Sequence, residues 1–299
     1  MKMDFYQILV DIANRLGPWL FTLIARMVAA GYFLFSRRTS ESNRLYAALF
    51  PEKGPLYHRW CTWRQYQNFT TIHRDRFLAN QGQPAHFTAN GWERLAATIG
   101  GSGAILLMSH LGNWEMAARI LMQQGQDLQL LLYMGVKEKE GVERTQKDEL
   151  RRAGVTIIAA DQSQHSPFAA VEGIRLLQAG GLISMAGDIV WRADQRRVPV
   201  TFLGHRAYIP EAPFIFAMVS GAPILVFFAF RLGDNRYHVE LSEPITVESA
   251  NRTERGAAVA RAAQHYATLL EKALRAHPLE WYHFARFIDE RLAQETPAG

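Results

Sequence analysis

From residue 104 onward one texture repeats. Short apolar runs (AILLMS, LQLLLYM, VTIIAA, LISMAG, VPVTFLG, PILVFFAF) alternate with amphipathic stretches over about 114–124, 138–152, 167–179, 210–220 and 254–276. A run that is apolar at every position belongs to a strand covered on both faces. Such strands separated by helices build a mainly parallel sheet, because parallel neighbours need a long crossover. The expected fold class is α/β, a mainly parallel central sheet flanked by helices. Residues 39–99 pattern differently: "HRWCTWRQYQNFTTIHRDRFLA" spaces its aromatic residues by threes and fours, as a helix does. This stretch reads as helical packing on one edge of the same domain. With no internal repeat and no low-complexity linker, the chain divides into residues 1–38, an N-terminal membrane-associated helix, and residues 39–299, a single α/β domain.

The membrane assignment comes from "LGPWLFTLIARMVAAGYFLFSRR", in which Arg26 separates two uncharged stretches, Leu16–Ala25 and Met27–Ser36. An arginine at mid-bilayer costs roughly 2.5–3.5 kcal/mol on insertion scales. A helix lying in the headgroup region, with Trp19, Phe21, Tyr32, Phe33 and Phe35 toward lipid, is cheaper. A tilted single span and an ordinary core helix are the alternatives. No Ala-x-Ala-like cleavage site follows, which points to a retained segment. The net charge of +5, carried mainly by arginine, favours anionic partners. One cysteine, Cys61, excludes a disulfide framework and a Cys-rich metal centre and suits a reducing compartment. Nucleic acid is not an expected partner, since zinc-finger spacing and a lysine–arginine stripe are both missing.

Chemistry in a parallel sheet collects where strands end and helices begin, and "LLMSHLGNWEMAARIL" (106–121) holds such a break. Gly112 eases the turn, Asn113 fits an N-cap, and Glu115 falls in the first helical turn. Positions five apart lie about 140° out of phase on one helix, so His110 and Glu115 meet only if His110 precedes the helix. There the carboxylate can hold one imidazole nitrogen while the other removes a substrate proton. With ten histidines and 28 acidic residues in 299, about one His-x4-acid pair arises by chance, and His238–Glu243 is a second instance. It lies inside the strand-like "RYHVELSEPITV" with no helix after it, so it reads as structural. The alternative for His110–Glu115 is a polar turn whose glutamate favours the helix dipole.

"SHLGNWE" resembles the His-x4-Asp/Glu motif of the lysophospholipid acyltransferase superfamily, in the branch of bacterial lipid A late (lauroyl and myristoyl) acyltransferases. The resemblance extends through "RRTSESNRLYAALFPEKG", "GIRLLQAGGLISMAGD", "RVPVTFLGHRA", "GAPILVFFAFR" and "WYHFARFI", covering about residues 5–290 in the family's order. It implies a glycerol-phosphate acyltransferase-like fold and transfer of a fatty acyl chain to a hydroxyl or amine of a membrane lipid at the cytoplasmic face of the inner membrane. Acyl-carrier protein, or less often coenzyme A, would be the donor; no separate cofactor and no metal is implied. It makes His110 and Glu115 the catalytic pair and adds Gly112, Asn113 and Asp188 as substrate-binding positions, with simple turn chemistry the alternative for Gly112 and Asn113 and a capping or loop role the alternative for Asp188; Arg192, in the polar loop after Asp188, is a substrate-binding candidate for its charge, a solvated loop arginine being the alternative. Arg196, Arg197 and Arg206 are further phosphate candidates, and "WYHFARFI" is either core packing or the site mouth. Where the branch has an arginine after the strand that precedes "KEKEGVERTQKDELRR", this chain reads Met134-Gly135, with Lys137 or Arg144 as substitutes. That departure leaves the acceptor open between a lipid A precursor and another lipid or aminolipid. A catalytically silent membrane or carrier-protein binding module, and a thioesterase or lipid hydrolase, are the competing readings; no Gly-x-Ser-x-Gly elbow supports a serine hydrolase.

Overall fold

The computed structural model describes residues 18–99, 101–124, 130–135, 156–160, 167–190 and 194–292. Its centre is a seven-stranded sheet of β1 (His86–Asn90), β2 (Ala104–Met108), β3 (Leu130–Gly135), β4 (Thr156–Ala160), β5 (Leu182–Ala186), β8 (Ile224–Gly233) and β9 (Arg236–Leu241), in the order β1-β9-β8-β2-β5-β3-β4. The five strands from β8 to β4 run parallel, and β9 turns back antiparallel on β8. The mainly parallel sheet is thus as expected, with helix α6 (Pro167–Gln178) leading into β5. Every residue of β2 is buried, which is why its sequence shows no alternation. Ile105 and Leu107 face one side, where helix α8 (Arg255–Ala276) and helix α7 (Ala212–Ser220) cover them; Leu106 and Met108 face the other, under helix α5 (Trp114–Gln124).

Two departures from the sequence reading shape the site. "VPVTFLG" forms β6 (Arg197–Phe202), which leaves the central sheet and pairs antiparallel with β7 (His205–Pro210); β10 (Ile288–Arg291) adds to β7. The hairpin turns on Leu203 and Gly204, with φ of +52° and +72°. These are the two left-handed positions that a tight hairpin twist requires, and the Glu271 carboxylate holds the Leu203 N–H at 2.7 Å. Burial alternates along β6, with Val198, Val200 and Phe202 inward. It is a strand with one covered face, not an interior parallel strand. The other departure is β1, which lies in the stretch read as helical. It has no apolar run of its own and is ordered by pairing with β9 at the sheet edge.

The N-terminal part is helical: α1 (Pro18–Phe35), α2 (Thr39–Leu49), α3 (Pro55–Asn80) and the short α4 (Trp92–Thr98). Phe21 and Phe33, expected toward lipid, instead face α3, Phe21 stacked on Phe77 at 5.4 Å and Phe33 edge-on to Trp63 at 5.2 Å. The helical period explains this, since Phe21, Ala25, Ala29 and Phe33 recur every fourth residue on one face. Trp19, Leu23, Met27, Tyr32, Leu34 and Phe35 are exposed. Among the described residues no single helix is long and apolar enough to cross a membrane; α1 and α2 meet that test only as a pair bent by 85°.

Candidate active site

The chain leaves β2 at Ser109 and turns through His110, Leu111 and Gly112 into α5. Gly112 has φ of +77°, and a Cβ there would lie 2.4 Å from the Ala229 carbonyl oxygen of β8. Only glycine allows this close approach. The turn is held from both sides: Asn113 N–H donates to Ala229 O at 2.8 Å, Gly112 N–H to Glu280 O at 3.0 Å, and Tyr282 N–H to His110 O at 2.8 Å. Asn113 is the N-cap, its Oδ1 accepting from Met116 N–H at 3.2 Å while its amide donates to Tyr237 Oη at 3.1 Å. Gly112 and Asn113 are both buried, and both hold the turn.

The neighbouring strand β5 runs on into Gly187-Asp188. Gly187 N–H donates to Met108 O at 2.7 Å, and the Tyr266 ring would lie 2.6 Å from a Cβ at this position, so the two strand ends are locked in register. Asp188 then faces His110. Its Oδ1 pairs with His110 Nδ1 at 2.9 Å, and its Oδ2 accepts from His110 N–H at 2.7 Å and from the Trp281 indole at 2.8 Å. The aspartate side chain is fully buried and the histidine a quarter exposed. Burial alone would raise the Asp188 pKa; the His110 charge and the hydrogen bonds from His110 and Trp281 outweigh it and hold the carboxyl at about 2. Asp188 is therefore an ionised, rigid acceptor that fixes the His110 ring.

In the sequence reading Glu115 orients His110. The carboxylate at Nδ1 is Asp188's instead, and Glu115 is gripped from the helix side. Arg76 of α3 approaches its Oε2 through Nε at 2.7 Å and through a terminal nitrogen at 2.6 Å, and Arg119 reaches Oε1 at 3.4 Å. Both side chains of the Arg76–Glu115 pair are buried. The reason is directional: His110 lies at the strand end, next to β5, whereas the first turn of α5 aims Glu115 at α3. The adjacent Asp75 binds Arg231 Nε at 2.7 Å and accepts from the Tyr237 hydroxyl, which in turn meets Asn113. Consecutive residues of α3 thus hold the start of α5, Asp75 through Tyr237 to Asn113 and Arg76 through Glu115.

The segment after α8 completes the site. Trp281 is buried, its carbonyl accepting from the Gln65 amide, and His283 lies edge-on to His110 with ring centroids 5.8 Å apart. Burial lowers the His283 pKa to about 4, against the pull of Asp188 and with the push of His110. Asp188, Ile189, Val190, Tyr208, His283 and Phe287 line a cleft of about 210 Å³ together with Arg197, Arg286 and Asp289. Arg197 stacks on Tyr208 at 4.4 Å. Arg196 pairs with Glu211 instead, at 3.3 Å, and Arg206 sits on β7 opposite Thr201. Arg192, Lys137 and Arg144 lie outside the described residues. His238 and Glu243 go separate ways, to Thr88 and Asn90 and to Arg94 respectively. Trp281, His283 and Arg76 carry no motif or spacing of their own; only the "WYHFARFI" resemblance pointed to the first two.

A family model described as bacterial lipid A biosynthesis acyltransferase matches residues 71–287. That span holds Asp75, Arg76, His110, Glu115, Asp188, Trp281 and His283. Among curated proteins no match is found.

Proposed function

This chain belongs to the bacterial lipid A biosynthesis acyltransferase family and is an acyltransferase, and from that premise we propose that it moves a fatty acyl chain from a carrier-protein or coenzyme A thioester to a hydroxyl or amine of a membrane lipid, with His110 as general base. The observation that carries the assignment is the Asp188–His110 pair: Nδ1 is occupied by an ionised carboxylate at 2.9 Å, which leaves Nε2 as the basic nitrogen. His110 takes the proton of the acceptor hydroxyl or amine, the freed lone pair attacks the thioester carbonyl, and the collapsing intermediate expels the thiolate, which recovers the proton from His110. No acyl-enzyme is needed. Cys61 is buried in α3 with its thiol pKa raised by burial, the opposite of an activated nucleophile.

Glu115 enters as a positioning residue, holding the first turn of α5 against Arg76. The exposed apolar side of α1, with Arg26 exposed among those side chains, supports peripheral docking on the cytoplasmic face of the inner membrane. The basic surface suits an acidic carrier protein. The test incubates purified full-length protein with a panel of acyl-carrier proteins and acyl coenzyme A plus total bacterial lipid, and reads products by mass spectrometry beside His110→Ala. A new acylated lipid that vanishes in the variant is the expected result and names the acceptor. Free fatty acid formed at a rate independent of acceptor indicates hydrolysis. Carrier binding without thioester loss indicates a silent binding module.

A further inference from the structure

The chemistry at His110 makes no use of the corner where α2 passes into α3, and the surface there is unlike that of an ordinary water-facing helix. Residues 51–57 are exposed without a break. Leu56 is 85% exposed and Trp60, one turn on, 48%; Tyr57 is exposed as well and stacks on Trp60 at 5.5 Å. Apolar side chains scattered singly on a surface need no explanation, but a leucine, a tyrosine and a tryptophan side by side do. The charges around them are of one sign. Lys53 lies over the Tyr57 ring at 5.9 Å, Arg64 over Trp60 at 5.9 Å and Arg59 over Phe33 of α1 at 5.3 Å, and Arg37 and Arg38 are exposed just after α1. Among the described residues none of these five cations has a carboxylate partner: nearby Glu41 pairs with Arg44, and Glu52 is the one acid in residues 50–64.

We propose that this corner is a second membrane contact, separate from α1, seated at the headgroup level of an anionic bilayer. Tyrosine and tryptophan settle where acyl chains meet headgroups, and long basic side chains reach from the same level to lipid phosphate. Tyr57 and Trp60 supply the first with Leu56 beside them, and Lys53, Arg59 and Arg64 supply the second. An acidic protein would answer the charges alone; a bilayer answers both. The corner is also continuous with the docking side of α1. Phe33 lies under Arg59 and edge-on to Trp63, which sets the exposed Tyr32, Leu34 and Phe35 at the start of α3. Stable peripheral anchoring takes two signals, because one apolar insertion is marginal. The proposal rests on the peripheral docking read for α1 and adds a preference for anionic lipid and a fixed orientation. One continuous helix links the corner to the site: Gln65 and Asn68, roughly 8 and 12 Å beyond Trp60 along the α3 axis at 1.5 Å per residue, donate to the Trp281 and Leu279 carbonyls. A corner held in headgroups therefore brings the segment that touches His110 and Asp188 to the membrane surface.

Co-sedimentation of the full-length protein with vesicles tests this, using phosphatidylcholine alone and phosphatidylcholine mixed with phosphatidylglycerol. Two variants leave α1 untouched. Lys53→Gln with Arg59→Gln and Arg64→Gln removes the charge, and Leu56→Ser with Trp60→Ser removes apolar contact; thermal melts check that both stay folded. Wild type is expected to bind the mixed vesicles about ten-fold or more tightly than the neutral ones. The charge variant should lose that preference, and the Leu56 and Trp60 variant should bind the mixed vesicles about ten-fold or more weakly than wild type. A folded variant of either kind that binds mixed vesicles as wild type does overturns the proposal. So does a charge variant that keeps vesicle binding and loses binding to acyl-carrier protein, because the corner then belongs to the carrier. Neither readout depends on turnover, so a protein that binds as expected and acylates no lipid removes the acyl-transfer reading and leaves this surface standing. If serine at Trp19, Met27 and Phe35 of α1 releases the protein from vesicles while both corner variants stay bound, α1 docking stands and this proposal falls; the reverse pattern keeps the corner and removes the α1 contact.

Discussion

Replacing Asp188 by asparagine changes the shape of the site by almost nothing and its hydrogen-bond logic completely. The carboxylate accepts three donors on two oxygens: the His110 backbone N–H, His110 Nδ1–H and the Trp281 indole. An amide offers one acceptor atom in their place. If its oxygen serves the backbone and indole donors, its NH2 faces Nδ1, which must then give up its proton. The proton moves to Nε2, and the nitrogen needed as the base becomes a donor. Loss of the same tautomer control in serine-protease triads lowers turnover by about 10⁴-fold, and a drop of about 10³- to 10⁴-fold in acyl transfer is expected here. Stability responds as well. The folded carboxyl sits at about 2 against an ordinary 3.8, a depression that contributes about 2 kcal/mol by linkage. Because the folded value is the lower one, this stability is fully present above about pH 4 and is lost as pH falls toward about 2. Initial rates and chemical unfolding at pH 7 and pH 3 measure both effects. An Asp188→Asn protein within ten-fold of wild-type turnover, or one whose stability difference from wild type is the same at both pH values, would show that Asp188 does not hold His110 as a charged acceptor.

Three further outcomes follow from the geometry. Arg76→Met is expected to destabilise by about 3–5 kcal/mol, because it removes the closest partner of a buried carboxylate; Arg76→Met with Glu115→Gln should recover part of that loss in denaturant melts, and additive losses would deny the coupling. For Gly112→Ala, a left-handed φ and a backbone oxygen 2.4 Å from the new Cβ put the strain at about 1–3 kcal/mol or more. It should lower the unfolding midpoint and displace His110, and a wild-type melting curve with full activity would contradict this. Trp19→Ser with Met27→Ser and Phe35→Ser removes exposed side chains of α1 and should abolish co-sedimentation with anionic vesicles while leaving thermal unfolding unchanged. Retained vesicle binding would place the membrane contact elsewhere.

Local pattern in the chain specifies the sheet and the turn that carries His110. Unbroken apolar runs such as AILLM are short-range signals of two-sided burial, and a glycine-eased turn from strand into helix is legible locally, so β2, β5 and the His110 turn could be read without coordinates. The polar alternation along β9 and the absence of a helix after it likewise allowed His238–Glu243 to be set aside. The identity of each side chain's partner comes from long-range packing. His110 and Glu115 are five positions apart, yet the carboxylate at Nδ1 comes from Asp188, 78 residues away, because β2 and β5 are neighbours in space. Glu115 instead meets Arg76 from a helix with no motif of its own. Likewise β1 has too little apolar content to announce itself and exists because β9 supplies hydrogen-bond partners. Local pattern reports whether a residue is buried and where the chain turns; which side chains then touch depends on strand order and crossover paths, which are long-range and leave no periodic trace in the chain.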